Sequence, residues 1–156
     1  MQQLKNILVE KDFTYYIREN ETTNAVEDIF FVHKLPFTMW CAFPHVLMID
    51  ATYKTHLYNL PFVQVVGMTL TNQLFSVAHA LISAEKAENY ILVLERIKSM
   101  LVDCTEPRVI ITDRDLALMN ACEQVFQKAN KYLCRFHIHQ NINKNSKEKF
   151  NEKEWK

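Results

Sequence analysis

The chain has 156 residues, 49% of them apolar, so a single domain with one substantial hydrophobic core is expected. Its 18 Lys and Arg residues balance 18 Asp and Glu residues, and the net charge of zero lacks the basic excess that usually marks a nucleic-acid surface. A single glycine, Gly67, excludes glycine-rich phosphate-binding loops, which need several residues free to adopt positive φ.

The N-terminal part predicts a hairpin followed by a short helix. Residues 13–18 and 26–33 are aromatic and β-branched, with a polar stretch between them, as in a β-hairpin. Residues 35–43 are apolar and contain Pro36, and Pro44 follows directly. We expect a short helix that ends at the second proline.

Three strands are predicted next. Residues 45–50 are apolar until they end at Asp50, a pattern typical of a strand covered on both faces. Residues 63–70 and 75–82 are strand-like segments with a short polar connection, which favours an antiparallel meander. The strand that ends at Asp50 is therefore expected in the centre of a sheet.

Helical periodicity begins after the meander. Residues 85–101 are predicted as an amphipathic helix, whose buried face is formed by Tyr90, Leu94, Ile97 and Leu101. Residues 115–127 are predicted as a second helix, whose buried face is formed by Leu118, Ala121, Cys122 and Val125. Both helices are expected to pack on the sheet.

Two further strands complete the predicted core. Residues 108–113 form a second apolar segment that ends in an acid, Asp113, and residues 131–136 form a short last strand. The helix before Asp113 is a crossover, which returns the chain to a strand parallel to the one ending at Asp50. The predicted fold class is α/β, with a mixed sheet in the order 3-2-1-4-5, strand 2 antiparallel, flanked by helices.

The two acids at strand ends predict a metal site if their strands are neighbours. Adjacent strands lie about 4.8 Å apart, so Asp50 and Asp113 would then share one edge of the sheet. Carboxylates so close repel unless a cation offsets their charge, and Mg²⁺ prefers oxygen ligands. Acids at strand ends also commonly cap the following helix, so the pattern by itself leaves both interpretations open.

Several segments resemble the transposase domain of Mutator-like (MULE) elements in order and spacing. They are residues 50–55 (Asp-Ala-Thr-Tyr-Lys-Thr), 58–62 (Tyr-Asn-Leu-Pro-Phe), 66–67 (Val-Gly), 111–121 (Ile-Thr-Asp-Arg-Asp-Leu-Ala-Leu-Met-Asn-Ala) and 133–138 (Leu-Cys-Arg-Phe-His-Ile). The resemblance covers roughly residues 43–145 and implies an RNase H-like fold and a DDE-type DNA transposase.

By this resemblance, Asp50 and Asp113 are the first and second catalytic aspartates and the ligands of two Mg²⁺ or Mn²⁺ ions. Asp115 is interpreted as the N-cap of the following helix instead. The family's third acid, a glutamate, is expected well beyond this part of the chain. The glutamates near the C-terminus are interpreted as solvated; they are Glu148, Glu152 and Glu154.

Other motif residues are candidates for DNA contact. Tyr53, Lys54 and Thr55 follow the first acid, where they line DNA or simply face solvent, and Arg114 follows the second acid. Each is retained as a possible DNA-facing or family-motif residue.

Cys134 and His137 match the family's Cys-x-x-His element, and His139 follows closely. Zinc sites usually present four ligands, and no second Cys/His pair at ligand spacing accompanies them. A structural or DNA-facing role is favoured over a zinc site.

The expected domain organisation has three parts. Residues 1–43 form the N-terminal hairpin and short helix, residues 44–137 the RNase H-like transposase core, and residues 138–156 a polar helical or frayed tail where the family's helical insertion begins. Cysteines without CxxC spacing and the absence of a long apolar segment favour a reduced, intracellular protein that does not enter membranes. The resemblance implies a nuclear location and transposon-end DNA as partner of the full-length protein, and the oligomeric state stays open.

Three functions remain open, and with them whether these residues form an enzyme. The first is part of a transposase catalytic domain that is inactive alone. The second is a domesticated or decayed relative that acts as a non-enzymatic DNA-binding or transcription-regulatory domain. The third, a stand-alone RNase H-like nuclease, would need three or four acids, and the sequence offers two convincing ones.

Overall fold

The computed structural model describes residues 2–52, 60–101 and 105–147. Within these ranges the elements are α1 (Gln2–Glu10), β1 (Phe13–Glu19), β2 (Val26–His33), α2 (Lys34–Ala42), β3 (Val46–Thr52), β4 (Phe62–Met68), β5 (Leu74–Leu81), α3 (Ala87–Ser99), β6 (Val109–Thr112), α4 (Leu116–Val125), β7 (Asn130–Leu133) and α5 (Arg135–Lys147). None of the helices in these ranges is both long and apolar enough to cross a membrane.

The strands form one mixed sheet in the order β1-β2-β5-β4-β3-β6-β7. The pairs β3–β6 and β6–β7 are parallel, and the other pairs are antiparallel. The predicted α/β class, with a mixed sheet flanked by helices, is confirmed.

The observed strand order differs from the predicted five-stranded one because the N-terminal hairpin joins the sheet. The five core strands keep their relative order, β5-β4-β3-β6-β7, and β2 adds antiparallel to β5. Ile29, Phe30 and Val32 of β2 are buried, so the hairpin contributes to the same core and covers an edge that would otherwise be unpaired.

The hydrophobic core lies between the sheet and the helices α3 and α4, which pack against each other. Every side chain predicted for the two buried helix faces is at most 8% exposed. The helices themselves are shorter than predicted: α3 spans Ala87–Ser99, and α4 spans Leu116–Val125. The periodicity therefore identified the faces correctly and overestimated the helix lengths.

Gly67 has a packing role in β4. A Cβ atom at this position would lie 2.7 Å from Phe75 Cζ and 3.1 Å from Cδ1 of the fully buried Trp40. Because its φ is not positive, close packing explains this glycine, not backbone conformation.

A buried carboxylate joins the hairpin to the start of α3. Asp28 in β2 is 1% exposed, and its Oδ1 accepts hydrogen bonds from the Ser83 backbone N–H (2.7 Å) and from Asn89 Nδ2 (3.1 Å). Its Oδ2 contacts the guanidinium of Arg18. This network holds the connection between β5 and α3 in place.

Two local features depart from the sequence-based expectation. The strand predicted over residues 131–136 ends at Leu133, and α5 begins at Arg135, so His137 lies in the first turn of a helix. The cysteines are not all reduced: Cys41 is disulfide-bonded, whereas Cys122 and Cys134 are free.

Candidate active site at the carboxyl edge of the sheet

Asp50 and Asp113 lie on neighbouring parallel strands at the same edge of the sheet. The parallel register of β3 and β6 ends with the pair Ile49 and Thr112, and the two aspartates are the next residues in the chain. Asp50 lies within β3, which continues to Thr52 instead of ending at Asp50, and Asp113 directly follows β6. Strands in a sheet are about 4.8 Å apart, so the register brings the two carboxylates side by side.

A tight local structure holds Asp113. Its Oδ1 accepts a hydrogen bond from the Asp115 backbone N–H at 3.1 Å. Asp115 Oδ1 in turn accepts from the Leu118 backbone N–H at 2.7 Å, which confirms the prediction that Asp115 caps α4. One short segment therefore both orients an acid and starts a helix.

The surroundings of Asp113 disfavour its negative charge. Partial burial, followed by the charges of Asp115 and Asp50, raises the pKa of Asp113 above its ordinary value. The hydrogen bond from the Asp115 backbone N–H and the charge of His137 act in the opposite direction. A cation bound at this edge would offset the excess negative charge.

His137 faces Asp50 from the start of α5. Its Nε2 lies 3.7 Å from Asp50 Oδ1, and its Nδ1 is buried without a hydrogen-bond partner among the described residues. On the other carboxylate oxygen, Asp50 Oδ2 lies 3.5 Å from Thr52 Oγ1. The Asp50 side chain is 50% exposed, so it remains open to a ligand from solvent.

Glu85 and Tyr90 also belong to this edge, which the sequence interpretation did not recognise. Partial burial, followed by the charges of Asp115 and Asp113, raises the pKa of Glu85. The signal was present in the sequence: the strand before Glu85 runs parallel to β3, so it ends at the same edge.

Tyr90 is 1% exposed, and its hydroxyl has no hydrogen-bond partner among the described residues. Burial, followed by the charges of Asp115, Glu85, Asp113 and Asp50, raises the pKa of Tyr90 well above its ordinary value. The Tyr90 hydroxyl therefore stays protonated and neutral at physiological pH, and it is part of the electrostatic environment of these acids.

An open groove leads away from the acids along α5. Asp113, the exposed Arg114, the half-buried Cys134 and His137 line its start, and it continues along the helix to Ser146. The two residues of the Cys-x-x-His element make different contacts. The Cys134 backbone N–H donates to the Thr112 carbonyl oxygen (2.6 Å), whereas the His137 side chain faces Asp50.

Other candidate residues lie outside the described residues. These are Tyr53, Lys54 and Thr55, and the C-terminal acids Glu148, Glu152 and Glu154.

The donor set suits a hard divalent cation, because two adjacent carboxylates supply oxygen ligands and excess negative charge. As the side chains stand, no three His, Cys, Asp or Glu residues within the described part of the chain are arranged to hold an ion.

Comparison with known proteins identifies the family. The model of the MULE transposase domain matches residues 46–141, more than half of the chain, and this range includes Asp50, Asp113, Cys134 and His137. A PKS-NRPS hybrid synthetase from Chaetomium globosum is 30% identical over 106 residues, which are 67% of this chain and 2% of the synthetase. The chain thus spans a very small part of that relative.

Among solved structures, the magnesium complex of the HTLV-2 integrase catalytic core domain (trimeric form) is 17% identical, with a TM-score of 0.38 over 68% of this chain and 70% of that one. The simian T-cell lymphotropic virus intasome with PP2A regulatory subunit B56 gamma is 16% identical, with a TM-score of 0.36 over 65% of this chain and 39% of that one. The family match, together with its coverage of both acidic motifs, shows that the chain belongs to the MULE transposase domain family.

Proposed function

We propose that this domain supplies the first two catalytic carboxylates, Asp50 and Asp113, of a DNA transposase. The observation that carries the proposal is their placement on adjacent parallel strands within the range matched by the family. The reaction class is the cleavage and joining of phosphodiester bonds in transposon-end DNA.

Asp50 and Asp113 would bind Mg²⁺ or Mn²⁺ through their carboxylate oxygens. Ions at such a site help to activate the attacking oxygen and to stabilise the leaving oxygen in phosphoryl transfer. The role of the protein is to hold the ligands in place. The Asp115 backbone N–H orients Asp113, and β3 fixes Asp50 in register with β4 through its pairing with Gln64.

The groove along α5 is the proposed path of the DNA next to the acids. The exposed cations Arg114 and Lys144 lie along it, and so do the amide side chains of Gln140, Asn141, Asn143 and Asn145. Cations and amides of this kind contact phosphate and sugar groups, which position a duplex without reading its sequence. We propose an intracellular, nuclear location, since the substrate would be chromosomal DNA.

Cleavage is proposed to need a further carboxylate beyond the two aspartates. A two-metal site is usually held by three or more acids. The other acids whose charges interact at this edge are Asp115, which caps a helix, and Glu85. We therefore propose that these 156 residues fold and bind a divalent ion but do not cleave DNA by themselves.

Isothermal titration calorimetry with Mn²⁺ tests the proposal. The wild-type chain is expected to bind weakly, with a dissociation constant on the order of millimolar, because the site has few charged ligands. Asp50→Asn and Asp113→Asn should each abolish binding. Glu95→Gln is the matched control, since it removes one negative charge from an exposed position on α3.

Binding that is indifferent to both aspartate variants would refute the metal site. A chain that binds duplex DNA and shows no saturable Mn²⁺ binding would favour the alternative, a domesticated or decayed relative acting as a non-enzymatic DNA-binding or transcription-regulatory domain.

A further inference from the structure

Helix α5 concentrates positive charge on a chain whose net charge is zero. Residues 135–147 contain no Asp or Glu, and the side chains of Arg135 and Lys144 are exposed. The exposed Arg114 lies at the start of the groove that runs along the same helix. A surface of this kind favours a polyanion as its ligand, because each phosphate that a cation neutralises releases counterions from the nucleic acid.

An exposed aromatic ring lies within this basic surface. The Phe136 side chain, in the first turn of α5, is 63% exposed and is not part of the hydrophobic core. Its ring contacts His137 with the centroids 5.5 Å apart and the planes at 65°, so the two rings are not stacked on each other. Most of the Phe136 ring is therefore open to a ligand from solvent.

Phe136 is also close to the proposed catalytic acids. The ring of His137, which Phe136 contacts, has its Nε2 3.7 Å from Asp50 Oδ1, so one imidazole ring separates Phe136 from a carboxylate. Consecutive nucleotides of a DNA strand are about 3.4 Å apart along the helix axis. A strand with a phosphate at the acids therefore has bases within reach of Phe136.

The charges around the ring favour a nucleotide over a second copy of this chain. In a twofold dimer the same surface of both copies meets, so the cations beside Phe136 would face each other at a cost in binding free energy. Exposed aromatic rings beside cations suit nucleic acid, because every base has a π face and every nucleotide a phosphate. Bases inside an intact duplex are already stacked, so the ring needs an unpaired base.

We propose that Phe136 stacks on an unpaired base of the DNA strand whose phosphate lies at Asp50 and Asp113, while Arg135 contacts the backbone of that strand. The proposal rests on the proposed function, because the strand is the one on which the two aspartates act. It specifies the form of the substrate: the DNA next to the acids is single-stranded over at least one nucleotide.

Fluorescence anisotropy with two labelled DNA probes and the full chain, in the presence of Mn²⁺, tests the proposal. Both probes are a duplex with a single-stranded overhang, and the overhang of the second probe is abasic, so the probes differ only in the bases available for stacking. Phe136→Ala removes the ring, and Phe136→Trp keeps an aromatic face. Ile142→Ala is the matched control, since it shortens another exposed apolar side chain of the same helix.

We expect the wild type to bind the probe with bases about tenfold more tightly than the abasic probe, the size of effect that one stacked base gives. The preference should persist in Phe136→Trp and in Ile142→Ala and should disappear in Phe136→Ala. The affinity of Phe136→Ala for the abasic probe should equal that of the wild type. A ring with only a structural role would instead weaken the binding of both probes equally.

A wild type that binds both probes equally would overturn this inference and leave the proposed function standing, and so would a preference that persists in Phe136→Ala. A wild-type dimer that Phe136→Ala dissociates in analytical ultracentrifugation would assign this surface to a second copy and overturn the inference as well. If the wild type binds neither probe, the proposed DNA path along α5 fails and this inference fails with it.

Discussion

Asp50 and Asp113 directly follow the last parallel pair of β3 and β6, Ile49 with Thr112, and so stand side by side at one edge of the sheet. This adjacency places negative charges where partial burial already disfavours them. The fold therefore carries an electrostatic cost at the position where the proposed function needs two acids.

Removing the charge of Asp113 should stabilise the fold at neutral pH when divalent ions are chelated. Because the pKa of Asp113 is raised in the folded chain, that chain binds more protons than the unfolded chain between the two pKa values. The free energy of unfolding thus falls as the pH rises through this window. We expect Asp113→Asn to raise the free energy of unfolding by roughly 0.5–1 kcal/mol at pH 7. The gain is modest because the site is partly open to solvent.

Urea denaturation at several pH values measures this effect, with Glu95→Gln as the control for the loss of one charge. The gain should vanish below the ordinary aspartate pKa of about 3.9, where both states are protonated. A wild type that is more stable than Asp113→Asn at pH 7 without divalent ions would contradict this account.

Asp115 combines a helix cap with a negative charge that acts on Asp113, and two substitutions separate the roles. Asp115→Asn keeps an acceptor for the Leu118 N–H and removes the charge, so the free energy of unfolding should hold or increase. Asp115→Ala removes both and should be less stable than Asp115→Asn by about 1 kcal/mol. Equal stability of the two variants in thermal denaturation would show that the cap contributes nothing.

The buried Asp28 should be much more sensitive than its partly exposed neighbour Glu27. Asp28→Ala leaves the Ser83 N–H, the Asn89 amide and the nearby Arg18 without their acceptor, and should cost about 3–5 kcal/mol. Glu27→Ala removes the other carboxylate beside Arg18 and should cost about 1 kcal/mol or less. Equal losses in urea denaturation would rule out a structural role for the buried network.

The chain is expected to leave DNA uncut, since two carboxylates do not complete a two-metal site. The assay is Mn²⁺-dependent nicking of a labelled duplex with terminal inverted repeats, beside the Asp50→Asn variant. Nicking that disappears in the variant would show that the further ligand lies within these residues, with Glu85, Glu148, Glu152 and Glu154 the first to test.

The sequence was sufficient to predict features that depend on local pattern. The apolar segments that end at Asp50 and Asp113, with a crossover helix between them, predicted neighbouring parallel strands, and the Asp115 cap followed from its place before a helix. The resemblance to MULE transposases over roughly residues 43–145 agrees with the family match over residues 46–141.

Features that depend on tertiary packing could not be predicted in this way. The hairpin joins the sheet because β2 pairs with β5 at Ile29 and Phe30. The local sequence pattern does not indicate which strand β2 pairs with. The approach of His137 to Asp50 depends on where β7 ends, and strand ends are poorly defined by sequence. The burial of Tyr90 was predicted, but the position of its hydroxyl near the acids was not.

The most direct measurement of the central claim is a diffraction experiment on crystals of the 156-residue chain soaked in MnCl₂. The account predicts an anomalous difference peak within about 2.2 Å of a carboxylate oxygen from Asp50 and of one from Asp113. Ordered carboxylates with no peak between them, or oxygens held more than about 8 Å apart, would contradict it, since two metals at such sites lie only about 4 Å apart.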